Sequence, residues 1–289
     1  MKVTFIGLGI MGSRMAANLL KRDVDLTVYN RSAAAAEVLA AKGAKKANSI
    51  PEAVSTADVI ITMLAHPEAV RSVMLEEGIT HVKKGALWMD SSTVNPSFSL
   101  ASAKVAQQHK VRFLDAPVAG TKPHAENAQL TFFVGGEPAE LAAARPLMEA
   151  MGQKILHIGA TGKGSSFKML VNALLAQSML MFSETVLLGE KMGLDKDFLL
   201  DTLPNLVVSA PFTKAKAPMI QNDDYEVQFP LELMHKDLHL ATLSAYENRQ
   251  PLYLANVAKE VFGAATAAGL GRMDFAAVHK YLEQMAHGE

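Results

Sequence analysis

Gly7, Gly9 and Gly12 stand at the spacing G-x-G-x-x-G near the start of the chain. A loop of this kind holds phosphate. The first glycine permits a tight turn, the second lets backbone approach a pyrophosphate, and the third lets a helix pack on a strand. Leu8, Ile10 and Met11 fill the loop between them. An anion seated there meets unpaired N–H groups and the positive end of a helix dipole. Val3, Thr4, Phe5 and Ile6 precede the loop and read as a buried strand. Met15, Ala16, Leu19 and Leu20 follow it at helical spacing. Strand, glycine loop and helix in this order mark a dinucleotide site rather than an ordinary glycine-rich turn.

The segment Asp25–Asn30 (DLTVYN) reads as the next strand. A carboxylate at its end would bind a ribose 2′-hydroxyl and repel a 2′-phosphate. Here the end holds neutral Asn30, followed by Arg31 and Ser32. A guanidinium can pair with a phosphate through two charge-assisted hydrogen bonds. The expected cofactor is therefore NADP, with NAD as the weaker alternative; a polar turn without cofactor contact is the plainer reading of the same residues. Further along, Lys168 and Asn172 are one helical turn apart and share a face. Spacing alone favours the plainer reading, a lysine whose stem lies along an amphipathic helix.

Other chemistries find little support. The chain has 289 residues, 49% of them hydrophobic, and a net charge of −1. A sizeable core and two domains are expected. No basic block suggests a nucleic-acid partner. There is no cysteine, hence no disulfide or thiolate. The nine histidines show no metal-ligand spacing, and His235 and His239, one turn apart, read as a solvated face. No metal is expected. No apolar run is long enough to span a membrane, no signal peptide is evident, and the cytoplasm is the expected compartment.

Strand and helix patterns alternate through the first part of the chain. Val59–Met63, Leu87–Asp90, Val111–Leu114, Leu130–Val134 and Lys154–Ile158 read as strands. Helices are expected after Ser49, from Pro96 to about Gln108, and over Pro138–Met151. This is the pattern of a doubly wound α/β sheet, a Rossmann domain over residues 1–162. Ligands in such sheets bind at the carboxyl ends of strands, where Gly7, Asn30, Leu64, Ser92 and Ala116 all fall. Residues 163–289 read as an all-α domain entered by one long helix, apolar on most faces and so expected to be buried against the first domain or a second subunit. A homo-oligomer, dimer or tetramer, is expected.

Five segments, in order, resemble the β-hydroxyacid dehydrogenases, relatives of 3-hydroxyisobutyrate dehydrogenase, and above all their glyoxylate and succinic semialdehyde reductase branch. FIGLGIMG (Phe5–Gly12) resembles the family's F-I-G-L-G-x-M-G. DAPVAGTKPHAENAQL (Asp115–Leu130) resembles D-A-P-V-S-G-x-x-x-x-A-x-x-G-x-L. GKGSSFKMLVN (Gly162–Asn172) is similar to G-x-G-x-x-x-K-x-x-x-N. FPLELMHKDLHLA (Phe229–Ala241) and GLGRMDFAAV (Gly269–Val278) are similar to the two closing blocks.

The resemblance implies that Lys168 is the catalytic lysine and that Asn172 binds substrate or holds that lysine. Carbonyl reduction builds negative charge on oxygen, which an ammonium stabilises and protonates. It implies that Met63 and Leu64 line the adenosine and ribose, that Thr93 lies on the nicotinamide side, and that Lys236, oriented by Asp237, reaches the cofactor. Gly120 and Thr121 fall in the loop that the resemblance implies for a substrate carboxylate and can offer it backbone N–H groups; Thr121 adds a hydroxyl, and Lys122 a charge able to face an acidic substrate, though loop lysines are mostly solvated.

Two departures stand out. Ala119 replaces a serine that usually contacts this carboxylate, and Asn127-Ala128 replaces Asp-Gly. They bear on the substrate and leave the fold alone. The expected activity is NADPH-dependent reduction of small anionic aldehyde or keto acids, such as glyoxylate or succinic semialdehyde. The alternatives are NAD-dependent oxidation of 3-hydroxyisobutyrate type, C=N reduction, and a non-catalytic NADP-binding scaffold.

Overall fold

The computed structural model describes residues 1–287. The chain forms two compact units, Met1–Lys168 and from Met169 onward. The first contains a 9-stranded sheet. Its strands are β1 (Lys2–Ile6), β2 (Asp25–Tyr29), β3 (Lys45–Lys46), β4 (Val59–Thr62), β5 (Leu87–Asp90), β6 (Arg112–Asp115), β7 (Val118–Ala119), β8 (Leu130–Gly135) and β9 (Gly152–Gly159). The order β3-β2-β1-β4-β5-β6 is parallel throughout. This is the strand order of a dinucleotide-binding Rossmann sheet. Strand β8 joins β6 and β7 antiparallel and pairs β9 parallel.

Side-chain alternation explains why both faces are covered. Phe5, Val28, Ile61 and Met89 enter one apolar cluster with the helix Gly12–Leu20. Ile6, Ile60, Trp88 and Phe113 enter a second cluster on the other face with the helix Pro96–Gln108. A strand apolar at every position must be buried on both sides. The short β3 and β7 were not expected; two-residue strands leave no period to read in a sequence.

The long helix, Lys163–Lys191, begins where Asp115 accepts hydrogen bonds from Gly162 N (2.7 Å) and Ser165 N (2.8 Å). A carboxylate at this end satisfies orphan donors and complements the dipole. Gly164 allows close packing: a Cβ there would lie 2.3 Å from Phe133 O and 2.8 Å from Gly135 N. The helix start is thus held against β6 and β8.

The second unit is helical, with Lys196–Thr202, Thr213–Gln221, Leu231–Glu247, Tyr253–Ala265 and Val278–His287 following the long helix. Leu231, Met234, Phe262, Phe275 and Val186 are in its core. Two of the sequence blocks meet there. Leu231 N donates to Met273 O, and Asp274 accepts from Gln228 N, Phe229 N and Ala276 N. Lys216 Nζ lies 2.8 Å from the buried Asp274.

Within a single chain the long helix keeps an exposed apolar side. Leu170, Leu174, Met181 and Leu188 are 67%, 68%, 58% and 62% exposed, while Ala176, Met179 and Val186 are buried. The helix also carries an 18-residue window of mean hydropathy 1.4, enough by length and composition alone to cross a membrane. No such segment was expected. Interspersed Ser, Asn and Gln interrupt the apolar run without lowering its average far enough.

Candidate active site

Gly7 and Gly12 take the steric roles expected of them. Gly7 takes φ +97°, and a Cβ there would lie 2.3 Å from Met63 O and 2.8 Å from Leu64 Cδ2. The loop is therefore in direct contact with the segment after β4, which brings Met63 and Leu64 beside Gly7. A Cβ on Gly12 would lie 1.9 Å from Gly7 O. Gly9 differs: a Cβ there would meet no protein atom within 4 Å. The helix Gly12–Leu20 has no side-chain cap and no acidic residue in its first turn. An open space over Gly9 beside an uncapped helix start fits a pyrophosphate.

Asn30 has a role that its position alone did not reveal. Its Oδ1 accepts from Leu8 N at 3.0 Å, and its Nδ2 donates to Ser32 Oγ and Ser32 O, both at 3.0 Å. Asn30 therefore clamps the glycine loop to the end of β2. Ser32 sits at the N-cap of the helix Ala33–Ala40 but makes no side-chain cap bond, because its hydroxyl serves Asn30. Arg31 is exposed and makes no hydrogen bond or ion pair among the described residues.

A second tie runs from β4 to β5. Asp90 Oδ1 accepts from Thr62 Oγ1 (2.8 Å) and Ser92 N (3.0 Å), and Ser92 Oγ accepts from Leu64 N (2.9 Å). Asp90 thereby sets the loop that carries Thr93, itself half-buried. Sequence reasoning placed Asp90 at a strand end but gave it no role. A buried acid followed by serines at a strand terminus was the available signal.

The carboxyl of Asp90 is 1% exposed, and burial pushes its pKa from 3.8 up to about 6 against the hydrogen bonds from Ser92 and Thr62. The folded value is above the unfolded one, so folding favours the protonated form. The stabilisation is complete below about pH 4 and is lost as pH rises to about 6, amounting to about 3 kcal/mol. Asp90→Asn keeps the acceptor and removes the titration. In melts from pH 4 to pH 7, the variant's Tm is expected to rise relative to the parent's. A constant difference across that range rules out Asp90 as the titrating group.

The substrate loop is held by its own side chains. Gly120 takes φ +121°, where a Cβ would press on His124 and Leu130. Thr121 N donates to His124 Nδ1 at 3.2 Å, and Thr121 Oγ1 lies 3.3 Å from the same nitrogen. The Thr121 N–H, expected to face a substrate carboxylate, thus donates to His124, three residues on. Ala119 lies in β7 opposite Thr131. Ala128 adopts φ 54°, a conformation suited to glycine that costs an alanine about 1 kcal/mol.

Lys168 is 7% exposed and lies one turn into the helix that Asp115 caps. Asn172 follows one turn later, 2% exposed. Its Nδ2 donates to Asp237 Oδ2 at 2.5 Å, which orients the amide; its Oδ1 is buried without a hydrogen-bond partner. Lys236 Nζ lies 2.8 Å from Asp237 Oδ1. Asn172, Lys236 and Asp237 thus form one polar group within the second unit. The Asn172–Asp237 bond was not foreseen, because 65 residues separate the partners.

Two family profiles cover the chain. The NAD binding domain of 6-phosphogluconate dehydrogenase matches residues 2–159. The NAD-binding domain of NADP-dependent 3-hydroxyisobutyrate dehydrogenase matches residues 162–282. The chain belongs to the β-hydroxyacid dehydrogenase family. It is an oxidoreductase.

Among its relatives, glyoxylate/succinic semialdehyde reductase 1 of Arabidopsis thaliana is 35% identical over 280 residues, 96% of this chain and 97% of that protein. The mitochondrial 3-hydroxyisobutyrate dehydrogenase of Drosophila melanogaster is 35% identical over 291 residues, covering 98% and 89%. Among solved structures, Mycobacterium tuberculosis 3-hydroxyisobutyrate dehydrogenase with L-serine matches with a TM-score of 0.89 and 33% identity, over 97% of this chain and 98% of that one. The family brings a nicotinamide cofactor, and this β-hydroxyacid dehydrogenase has a glycine loop of suitable shape for its pyrophosphate.

Proposed function

We propose that this dehydrogenase uses NADPH to reduce small aldehyde or keto acids, glyoxylate and succinic semialdehyde among them, to hydroxy acids. The observation that carries the reading is the pair on the long helix. Lys168 is a buried lysine, and one turn away Asn172 Oδ1 is a buried acceptor without a hydrogen-bond partner. The cofactor, when bound, supplies a hydride to the carbonyl carbon. Lys168 stabilises the charge that develops on the carbonyl oxygen and gives that oxygen its proton. Asn172 Oδ1 accepts from the hydroxyl so formed, with Asp237 holding the amide in that orientation. Gly7 to Gly12 would hold the pyrophosphate, while Met63, Leu64 and Thr93 border it. Exposed Arg31, with no carboxylate at the end of β2, favours a 2′-phosphate.

Cofactor choice has a direct test. NADPH is expected to exceed NADH at least tenfold in kcat/KM, or about 1.4 kcal/mol. Arg31→Ala should raise the KM for NADPH and spare NADH. Equal use of both cofactors by the parent enzyme refutes the NADP assignment.

Substrate class is tested by comparing succinic semialdehyde or glyoxylate with an uncharged aldehyde of matched length. The acid should win clearly in kcat/KM, because a site built for an anion leaves polar groups unpaired without it. Ala119→Ser should widen that preference. Equal turnover of the uncharged aldehyde sinks the substrate assignment and leaves fold and family intact. The exposed stripe Leu170, Leu174, Met181 and Leu188 supports a homo-oligomer in which a second copy covers the long helix.

A further inference from the structure

Glu190 lies at the end of the long helix, and His279 and Glu283 lie one turn apart on the helix Val278–His287. One ligand atom from each of the three falls within 4.8 Å of the other two. None of these residues belongs to the glycine loop, the substrate loop or the Lys168–Asn172 pair. His279 is 0% exposed, and neither of its ring nitrogens has a hydrogen-bond partner. Glu190 Oε2 is also buried without a partner. Buried polar atoms are rarely left unsatisfied, and here two adjacent groups are left so at one point. The unsatisfied atoms are a nitrogen and a carboxylate oxygen, with a second carboxylate beside them.

We propose that Glu190, His279 and Glu283 bind one divalent transition-metal cation of the Zn²⁺ class, joining the end of the long helix to the last helix of the second unit. One imidazole and two carboxylates suit a first-row divalent ion; Ca²⁺ and Mg²⁺ prefer oxygen ligands throughout. Ligand atoms around zinc lie at about 2.0–2.2 Å from the metal, so modest rotation of the two glutamates closes the set. Ligation needs a neutral imidazole. Lys196 Nζ also lies 2.8 Å from Glu283 Oε1, which holds that carboxylate in place. The sequence spacing concealed this site, because Glu190 is far from His279 along the chain.

The test uses untagged full-length protein stripped with chelator and titrated with Zn²⁺ by calorimetry, alongside thermal melts. One Zn²⁺ per chain should bind, and Tm should rise. Glu190→Gln should weaken binding at least tenfold, or about 1.4 kcal/mol, with little change in the metal-free Tm. His279→Gln should do the same; if that variant fails to fold, the half-buried Glu190 position decides. The double variant His235→Ala, His239→Ala removes the other histidine pair and should leave the Zn²⁺ affinity unchanged. Absence of saturable Zn²⁺ binding overturns the proposal. So does binding that survives Glu190→Gln intact or vanishes in the His235, His239 variant.

Discussion

Replacing Lys168 by alanine is expected to lower kcat by roughly two to four orders of magnitude, the scale of a positioned proton donor that also stabilises charge. NADPH affinity should change little, since the glycine loop lies elsewhere in the first unit. The expectation rests on how rigidly the lysine is held. Asp115 caps the first turn of its helix, and Gly164 seats that turn against Phe133 and Gly135. Lys168 follows one turn later and is buried. Single-turnover hydride transfer, followed by loss of NADPH absorbance, separates this effect from slow product release. Near-parent kcat in Lys168→Ala would falsify the assignment of this residue to the chemical step.

Gly12→Ala is expected to weaken NADPH binding roughly 100-fold, equivalent to about 3 kcal/mol, the upper range for overpacking. The added methyl would lie 1.9 Å from the carbonyl oxygen of Gly7, and no side-chain rotation can relieve a clash with backbone. The loop must open, so Tm should fall as well. Gly9→Ala is the informative contrast. Its methyl meets nothing in the protein within 4 Å, so Tm should stay near the parent value while NADPH affinity falls. If Gly9→Ala binds NADPH as the parent does, the pyrophosphate does not lie over Gly9. If Gly12→Ala keeps both Tm and affinity, the close approach of the helix to Gly7 has been misjudged.

Several elements were legible because their signals are local. A glycine loop between an apolar strand and a helix needs neighbours within a dozen residues, and its conformation follows from steric demands on Gly7 and Gly12. The boundaries of the helices Pro96–Gln108 and Pro138–Met151 were readable from proline at the first turn. Strands β3 and β7 were not, since each owes its existence to a partner strand rather than to any pattern of its own. Nor was the exposed face of the long helix, whose apolar residues look alike in sequence whether they enter a core or wait for a partner.

The amino-acid order by itself therefore determined the strand–helix alternation, the anion-binding loop, and which types of side chain are on hand for reduction. Those depend on backbone sterics, on periodic burial and on residue chemistry, all of which act over short stretches of chain. The tertiary structure alone decided the pairings. It gave the Asn30 amide to Leu8, the Thr121 N–H to His124, the Asp115 carboxylate to the start of the long helix, and the Asn172 amide to Asp237. Most of these bonds join residues far apart in sequence, and a hydrogen bond depends on distance and angle between atoms that only folding brings together.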